Sequence, residues 1–226
     1  MNDAGREDGL LTIALPKGRL FAASVGYLET IGAGSCSLGE LDRSLSVVDP
    51  GARLQYLLVR PSDVVAYVAE GAADLGVVGK DVLLEDEAPV YELVDLGFGR
   101  CHMAVAAPEE SSPAGDDPGA LYRRLGTDLR VATKYPRFTR RHFAGRGIRA
   151  RVIELRGSVE LAPLVGLADV IVDVVASGRT LLANGLVEVE HLADVTARLV
   201  ANPVALKVKP RVEELLGSTG RGVLGC

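Results

Sequence analysis

The segment of residues 173–180, DVVASGRT, combines residue types that could bind a sugar phosphate. Its small residues, ASG, would let backbone amides approach an anion closely, and Ser177 and Thr180 add hydroxyl donors. Asp173 accepts hydrogen bonds when it is ionised, which suits the paired hydroxyls of a ribose. A capped turn between a strand and a helix, with Asp173 as a buried hydrogen-bonding residue, explains the same segment equally well.

Four further segments place a cation, a glycine or a hydroxyl directly after an apolar run. They are PKGR at 16–19, RPSD at 60–63, KYPR at 134–137 and RGSVE at 156–160. In open α/β sheets the carboxyl ends of parallel strands meet at one edge, and ligands bind there. Five such segments in one chain therefore favour a polyanion site at that edge.

Short apolar runs alternate with helical patterns along the chain, which predicts an α/β fold with mostly parallel strands. An extended segment at 93–108, containing Gly97 and Gly99, could carry the chain from one domain to another. We therefore expect a first lobe over 1–98, a second lobe over 99–186, and a return to the first lobe over 187–226.

Composition narrows the possible partners. The 226 residues carry a net charge of −5, so the chain as a whole is not attracted to nucleic acid or anionic lipid. Residues 129–153 nevertheless contain eight Lys or Arg and no Asp or Glu, which suits a small polyanionic ligand.

The three cysteines show no metal-ligand spacing, and the polar N-terminus is unlike a signal peptide, so we expect a reduced cytoplasmic protein. His102, His142 and His191 are interpreted as structural or surface groups.

Residues 160–181, ELAPLVGLADVIVDVVASGRTL, resemble the signature of the ATP phosphoribosyltransferase family, and four further segments resemble the family in the same order. These are ALPKGRL, VRPSDVVAYVAEGAADLGVVGKDVL, RVATKYPRFTRRHF and LVANP. The likeness covers most of the chain. Ala176 departs from the Ser or Thr that is common in the family, and its side chain has no hydroxyl to contact phosphate.

The resemblance implies an activity. The family transfers the phosphoribosyl group of phosphoribosyl pyrophosphate (PRPP) to N1 of ATP and releases pyrophosphate, with Mg²⁺, in the first step of histidine biosynthesis. It also implies a two-lobed α/β fold like that of type II periplasmic binding proteins, with an active-site cleft between the lobes. Because charge separates at the anomeric carbon, positioning and charge stabilisation would supply most of the catalysis.

The resemblance assigns roles to particular residues and leaves the metal ligands unidentified. Arg60 and Asp173 are expected to be catalytic. PRPP is expected to bind at Lys17, Arg19, Glu160, Asp173, Ala176, Ser177, Gly178, Arg179 and Thr180. ATP is expected to bind at Arg43, Arg60, Lys80, Tyr135 and Arg137. Ordinary explanations stay open for Glu160, which could simply favour a helix dipole, and for Arg43, which could be a surface residue.

The chain resembles the short form of the family, which lacks a C-terminal regulatory domain. This implies a homodimeric core that assembles with a regulatory subunit resembling histidyl-tRNA synthetase. The alternative is a two-lobed small-molecule binding module without catalysis, but the sequence offers neither a signal peptide nor a DNA-binding motif. A phosphoribosyltransferase of the Rossmann-like type would need two adjacent acids, and Val172 precedes Asp173.

Overall fold

A computed structural model describes residues 9–34, 44–111, 117–126 and 128–219. Arg43, an expected ATP contact, lies outside the described residues. The strands are β1 Leu11–Pro16, β2 Ser46–Asp49, β3 Leu54–Val59, β4 Leu75–Gly79, β5 Tyr91–Asp95, β6 Cys101–Pro108, β7 Leu129–Thr133, β8 Ala150–Glu154, β9 Val170–Val175, β10 Leu186–Val195 and β11 Ala197–Ala201. The helices are α1 Phe21–Thr30, α2 Val64–Ala69, α3 Lys80–Glu85, α4 Pro118–Leu125, α5 Pro136–Gly145, α6 Leu161–Leu164, α7 Arg179–Ala183, α8 Pro203–Val208 and α9 Pro210–Thr219.

The chain divides into two compact units. The first contains residues 1–99 and 196–226, and the second contains residues 100–195. The sheet of the first unit has the order β2-β3-β1-β4-β11-β5. Strand β1 runs parallel to both β3 and β4, whereas β2 and β11 run antiparallel to their neighbours.

Strand β1 is buried along its whole length, which accounts for its almost continuously apolar sequence, LTIALP. Apolar side chains cover both faces of the first sheet. One face carries a core that includes Ile13, Leu15 and Leu75, and the other carries Ala14, Val64 and Val78. The sheet is thereby a rigid support for the loops that follow its strands.

The sheet of the second unit has the order β10-β6-β9-β7-β8. Strands β9, β7 and β8 are parallel, so their carboxyl ends meet at one edge. Strand β6 runs antiparallel to β9, and β10 runs antiparallel to β6 at the edge of the sheet. The mixed α/β class predicted from the sequence is confirmed.

The return to the first unit falls later than the sequence suggested. The sequence favoured a return from residue 187, but β10 pairs with β6 along its whole length and belongs to the second unit. The chain crosses at Thr196, and β11 then pairs with β4 and β5 in the first sheet. The continuous segment 186–201 therefore supplies one strand, β10, to the second sheet and one strand, β11, to the first sheet.

Among the described residues, no helix has the length and apolar character that a membrane span requires.

Candidate active site

A three-residue loop, Ala176 to Gly178, joins β9 to α7 in the second unit. Gly178 has a φ of +70°, in the left-handed region where a side chain is strained. A Cβ added to Gly178 would have no other atom within 4 Å, so the loop has open space in front of it. The loop can therefore admit a ligand close to its backbone.

A pocket of about 280 Å³ lies against this loop. It combines two carboxylates, one ammonium group, loop backbone and two hydroxyls. The lining residues are Lys134, Glu160, Ile171, Asp173, Val174, Val175, Ala176, Ser177, Gly178, Thr180 and Leu181. Most of the residues expected to bind PRPP in this unit are thus brought together, apart from Arg179, which is exposed at the first position of α7 and does not line the pocket.

Asp173 is largely buried in the pocket, since only 16% of its side chain is exposed. Burial raises the pKa of Asp173, the Lys134 ammonium lowers it in part, and the charge of Glu160 raises it further. Its Oδ1 accepts a hydrogen bond of 2.8 Å from the backbone N–H of Val174. The second oxygen, Oδ2, lies 3.5 Å from Lys134 Nζ. The carboxylate is therefore held in one orientation at the wall of the pocket.

Lys134 is a site residue that the sequence analysis did not select. It follows the end of β7, and because Thr133 pairs with Val172, Lys134 comes next to Asp173 across the parallel strands. The buried Thr133 hydroxyl donates to the Val172 carbonyl at 2.7 Å and accepts from the Tyr135 N–H at 2.9 Å. These bonds fix the turn that carries Lys134. In the sequence, the signal that pointed to Lys134 was a cation directly after an apolar run.

Glu160 immediately precedes α6 and lines the same pocket, half-buried. Its charge is close enough to Asp173 to raise the pKa of that residue. Two carboxylates facing one pocket repel each other, and a bound cation would relieve that repulsion.

Tyr135 and Arg137, both expected to contact ATP, differ in their surroundings. Tyr135 is only 9% exposed, so its ring offers little open face for stacking on the adenine of ATP. Arg137 is exposed in the first turn of α5. Neither residue lines the pocket of Asp173.

In the first unit, Lys17 and Arg60 follow neighbouring parallel strands. Pro16 pairs with Val59 at the ends of β1 and β3, and the Lys17 N–H donates to the Val59 carbonyl at 2.8 Å. Both side chains are exposed. The sheet therefore brings two expected phosphate ligands to the same edge.

Arg19 and Lys80 already have partners within the first unit. Arg19 Nη1 lies 3.4 Å from the Gly99 carbonyl oxygen. Lys80 Nζ lies 2.5 Å from Glu92 Oε2, and Glu92 also faces Arg198 at 3.4 Å. A lysine engaged in an ion-pair network is less available to ATP, which weighs against the role that the resemblance gave to Lys80.

Comparisons with known proteins agree on one family. A sequence model described as HisG, ATP phosphoribosyltransferase, matches residues 60–219. A protein of Geobacter sulfurreducens named ATP phosphoribosyltransferase 2 is 46% identical over 207 residues, covering 91% of this chain and 95% of its own. ATP phosphoribosyltransferase of Bacillus subtilis is 43% identical over 209 residues, covering 92% of this chain and 93% of its own.

Two solved structures show the fold. A chain from the ATP phosphoribosyl transferase (HisG:HisZ) complex of Thermotoga maritima superposes with a TM-score of 0.74 at 32% identity, covering 94% of this chain and 100% of that chain. The arginine-bound ArgBP of Thermotoga maritima superposes with a TM-score of 0.53 at 14% identity, covering 94% of this chain and 96% of that chain. The latter likeness supports the type II binding-protein fold alone.

Proposed function

Because the chain belongs to the ATP phosphoribosyltransferase family, we propose that its second unit binds PRPP in the pocket of Asp173. The family's reaction transfers the phosphoribosyl group of PRPP to N1 of ATP, releases pyrophosphate and opens histidine biosynthesis. The chain catalyses this transfer. We assign residues of this chain to the parts of that reaction.

The observation that carries the assignment is the open loop beside a buried carboxylate. The amides of residues 176–178 and the hydroxyls of Ser177 and Thr180 would hold the 5′-phosphate of PRPP. Asp173 would accept hydrogen bonds from the ribose hydroxyls. Because Ala176 has no hydroxyl, backbone donors must supply the contact that a Ser or Thr makes in other members.

The reaction depends on stabilising the charges that develop in it rather than on a nucleophilic residue of the protein. As pyrophosphate leaves, positive charge grows on the ribose and negative charge grows on the departing group. The fixed carboxylate of Asp173 would stabilise the positive charge that develops on the ribose. Lys134 lies beside Asp173 and compensates its negative charge. In the first unit we assign Lys17, Arg19 and Arg60 to the phosphates of the substrates, with Arg60 as the catalytic cation.

The pocket fits Mg²⁺ as well as PRPP. Mg²⁺ prefers oxygen ligands and is commonly held by one or two carboxylates together with substrate phosphates. Glu160 and Asp173 supply two such carboxylates to the lining of the pocket. When bound, Mg²⁺ offsets the charge of the pyrophosphate, and we assign Glu160 to holding it.

We also propose the partners. The likeness to a chain from a HisG:HisZ complex supports a hetero-oligomer. We assign the second component to a regulatory subunit that resembles histidyl-tRNA synthetase, and the core of the assembly to a homodimer of this chain. ATP and PRPP are cytoplasmic metabolites, which supports a cytoplasmic location. No described feature favours the alternative of a binding module without catalysis.

The direct test mixes the purified chain, alone and with its regulatory subunit, with ATP, PRPP and Mg²⁺. The expected result is an adenine product substituted at N1, seen by its changed ultraviolet absorption, together with one pyrophosphate per product. Omitting PRPP is the control. Tight PRPP binding without turnover in any combination would contradict the catalytic assignment and favour a binding module.

A further inference from the structure

A cluster of metal-binding side chains lies on the edge strand β10 and its neighbour β6. His102 belongs to β6, and Glu188 and His191 belong to β10. Each offers a ligand atom, and these atoms all lie within 4.8 Å of one another. His102 Nε2 lies 2.8 Å from Glu188 Oε2, and the two imidazole rings stack with centroids 4.8 Å apart.

Two β-bulges create this cluster. Glu188, His191 and Asp194 occupy every third position of β10, and in a regular strand such residues alternate between the two faces. The register with β6 shifts between Glu188 and Glu190 and again between His191 and Ala193. The three residues therefore pair with every second residue of β6, from 106 to 102. All three consequently share the face of His102, as bulges that re-aim side chains do.

We propose that His102, His191 and Glu188 form a binding site for a transition-metal ion, with Zn²⁺ as the best match. Zn²⁺ takes imidazole nitrogen and carboxylate oxygen at about 2.1 Å, which places neighbouring ligand atoms roughly 3.4 Å apart in a tetrahedral site. The separations in the cluster, from 2.8 Å up to 4.8 Å, bracket this value, although the stacked rings must rotate to direct both nitrogens at one ion. Mg²⁺ is disfavoured because it prefers oxygen ligands.

The surroundings of the cluster suit an open metal site. The side chains of His102, Glu188 and His191 are 26%, 34% and 52% exposed, so an ion can enter and water can complete its coordination. Asp194 Oδ1 lies 3.1 Å from His191 Nε2. It can orient that ring, as carboxylates near metal-bound imidazoles commonly do.

The site is distinct from the PRPP pocket. Ala104 pairs with Asp173 on one side and with His191 on the other, so His191 and Asp173 are two strands apart on the same face. Two strand spacings amount to about 10 Å, and none of the three cluster residues lines the pocket of Asp173. An ion held by the cluster would join the edge strand β10 to β6.

The test titrates the metal-free chain, without a histidine tag or substrates, with Zn²⁺ by calorimetry. One saturable Zn²⁺ site per chain is expected, and His102→Ala or His191→Ala should weaken it by at least about 10-fold. Glu188→Ala should also weaken it. Glu154→Ala is the matched control, because Glu154 is an exposed carboxylate on the opposite edge strand β8 and should leave binding unchanged.

Two further measurements identify the atoms that ligate the metal and the effect of Zn²⁺ on the stability of the fold. Co²⁺ should give a visible spectrum typical of nitrogen and oxygen ligands, without a thiolate charge-transfer band. At a free Zn²⁺ concentration of 100 times the Kd, the ratio of folded to unfolded chain should rise about 100-fold, and the melting temperature should rise with it. His191→Ala, whose fold is checked by circular dichroism, should lose this shift.

Three results would overturn the proposal: no saturable Zn²⁺ binding, binding that survives both histidine substitutions, or a thiolate band that places the ion at cysteine. These readouts involve no PRPP and no turnover. A failure of the metal site is therefore distinguishable from a failure of the proposed PRPP pocket.

Discussion

Lys134 Nζ lies 3.5 Å from Asp173 Oδ2, at the carboxyl ends of the neighbouring parallel strands β7 and β9. Burial raises the pKa of Asp173, and Lys134 opposes that effect. An ionised carboxylate can accept hydrogen bonds from the ribose hydroxyls at both of its oxygens. The lysine therefore favours the ionised form of a buried acid, against the effect of burial on its pKa.

Asp173→Asn should lower the activity with PRPP without lowering the stability of the fold. The amide keeps the size and the acceptor facing Val174, but it loses the charge that strengthens hydrogen bonds from ribose by about 1.5–3 kcal/mol each. We expect kcat/KM for PRPP to fall roughly 10- to 150-fold for one such bond.

The stability of that variant follows from the sign of the pKa shift. Because the folded-state pKa of Asp173 is raised, its protonation favours the folded state, and its contribution to stability is lost as the pH rises through that pKa. Removing the charge should leave the free energy of unfolding near neutral pH unchanged or increased. Urea unfolding measures it, and a large loss of stability without a separate kinetic defect would make Asp173 a structural residue.

Lys134→Met should change the pH dependence of the reaction. Without the ammonium, the pKa of Asp173 rises further, so the acidic limb of the kcat/KM profile for PRPP should move to higher pH. Lys80→Met is the matched control, since Lys80 is paired with Glu92 in the first unit and should leave that limb in place. An unshifted limb in Lys134→Met, with a normal profile in the control, would show that Lys134 does not tune Asp173.

The pair of Lys134 and Asp173 shows what the sequence could and could not predict. The acid, the small residues after it and the position of both at a strand end were visible locally, because each depends on neighbours in the chain. The pairing of β7 with β9 was not visible, because β8 lies between them in sequence but on the far side of β7 in the sheet. Placing Lys134 beside Asp173 required that strand order.

The histidines illustrate the same limit. His102 and His191 lie far apart in the chain, and the sequence supported only structural or surface roles for them. The register shifts that place them on one face are properties of the pairing between β6 and β10, not of either segment alone. Burial of Tyr135 likewise depends on packing that local sequence does not encode.

Gly178→Val should weaken PRPP binding by blocking the approach of the 5′-phosphate to the loop. The φ of +70° at Gly178 makes any side chain cost about 1–3 kcal/mol of stability, although no atom lies within 4 Å of the added Cβ. Gly147→Val is the matched control, because Gly147 has the same φ of +70° and the same open surroundings in a turn after α5. Calorimetry with PRPP should show a severe loss only for Gly178→Val, and equal losses in both variants would remove the loop from the site.

The proposed regulatory subunit predicts where histidine acts. Allostery requires a second site whose ligand changes the equilibrium affinity at the first, and we assign that site to the partner resembling histidyl-tRNA synthetase. Histidine should therefore leave the rate of the isolated chain unchanged and should inhibit the assembled complex. Linkage adds a quantitative check: PRPP must weaken histidine binding to the complex by the same factor by which histidine weakens PRPP binding. Calorimetric titration of each ligand in the presence of the other measures both factors, and strong inhibition of the isolated chain by histidine, at a site separate from both substrates, would contradict the assignment.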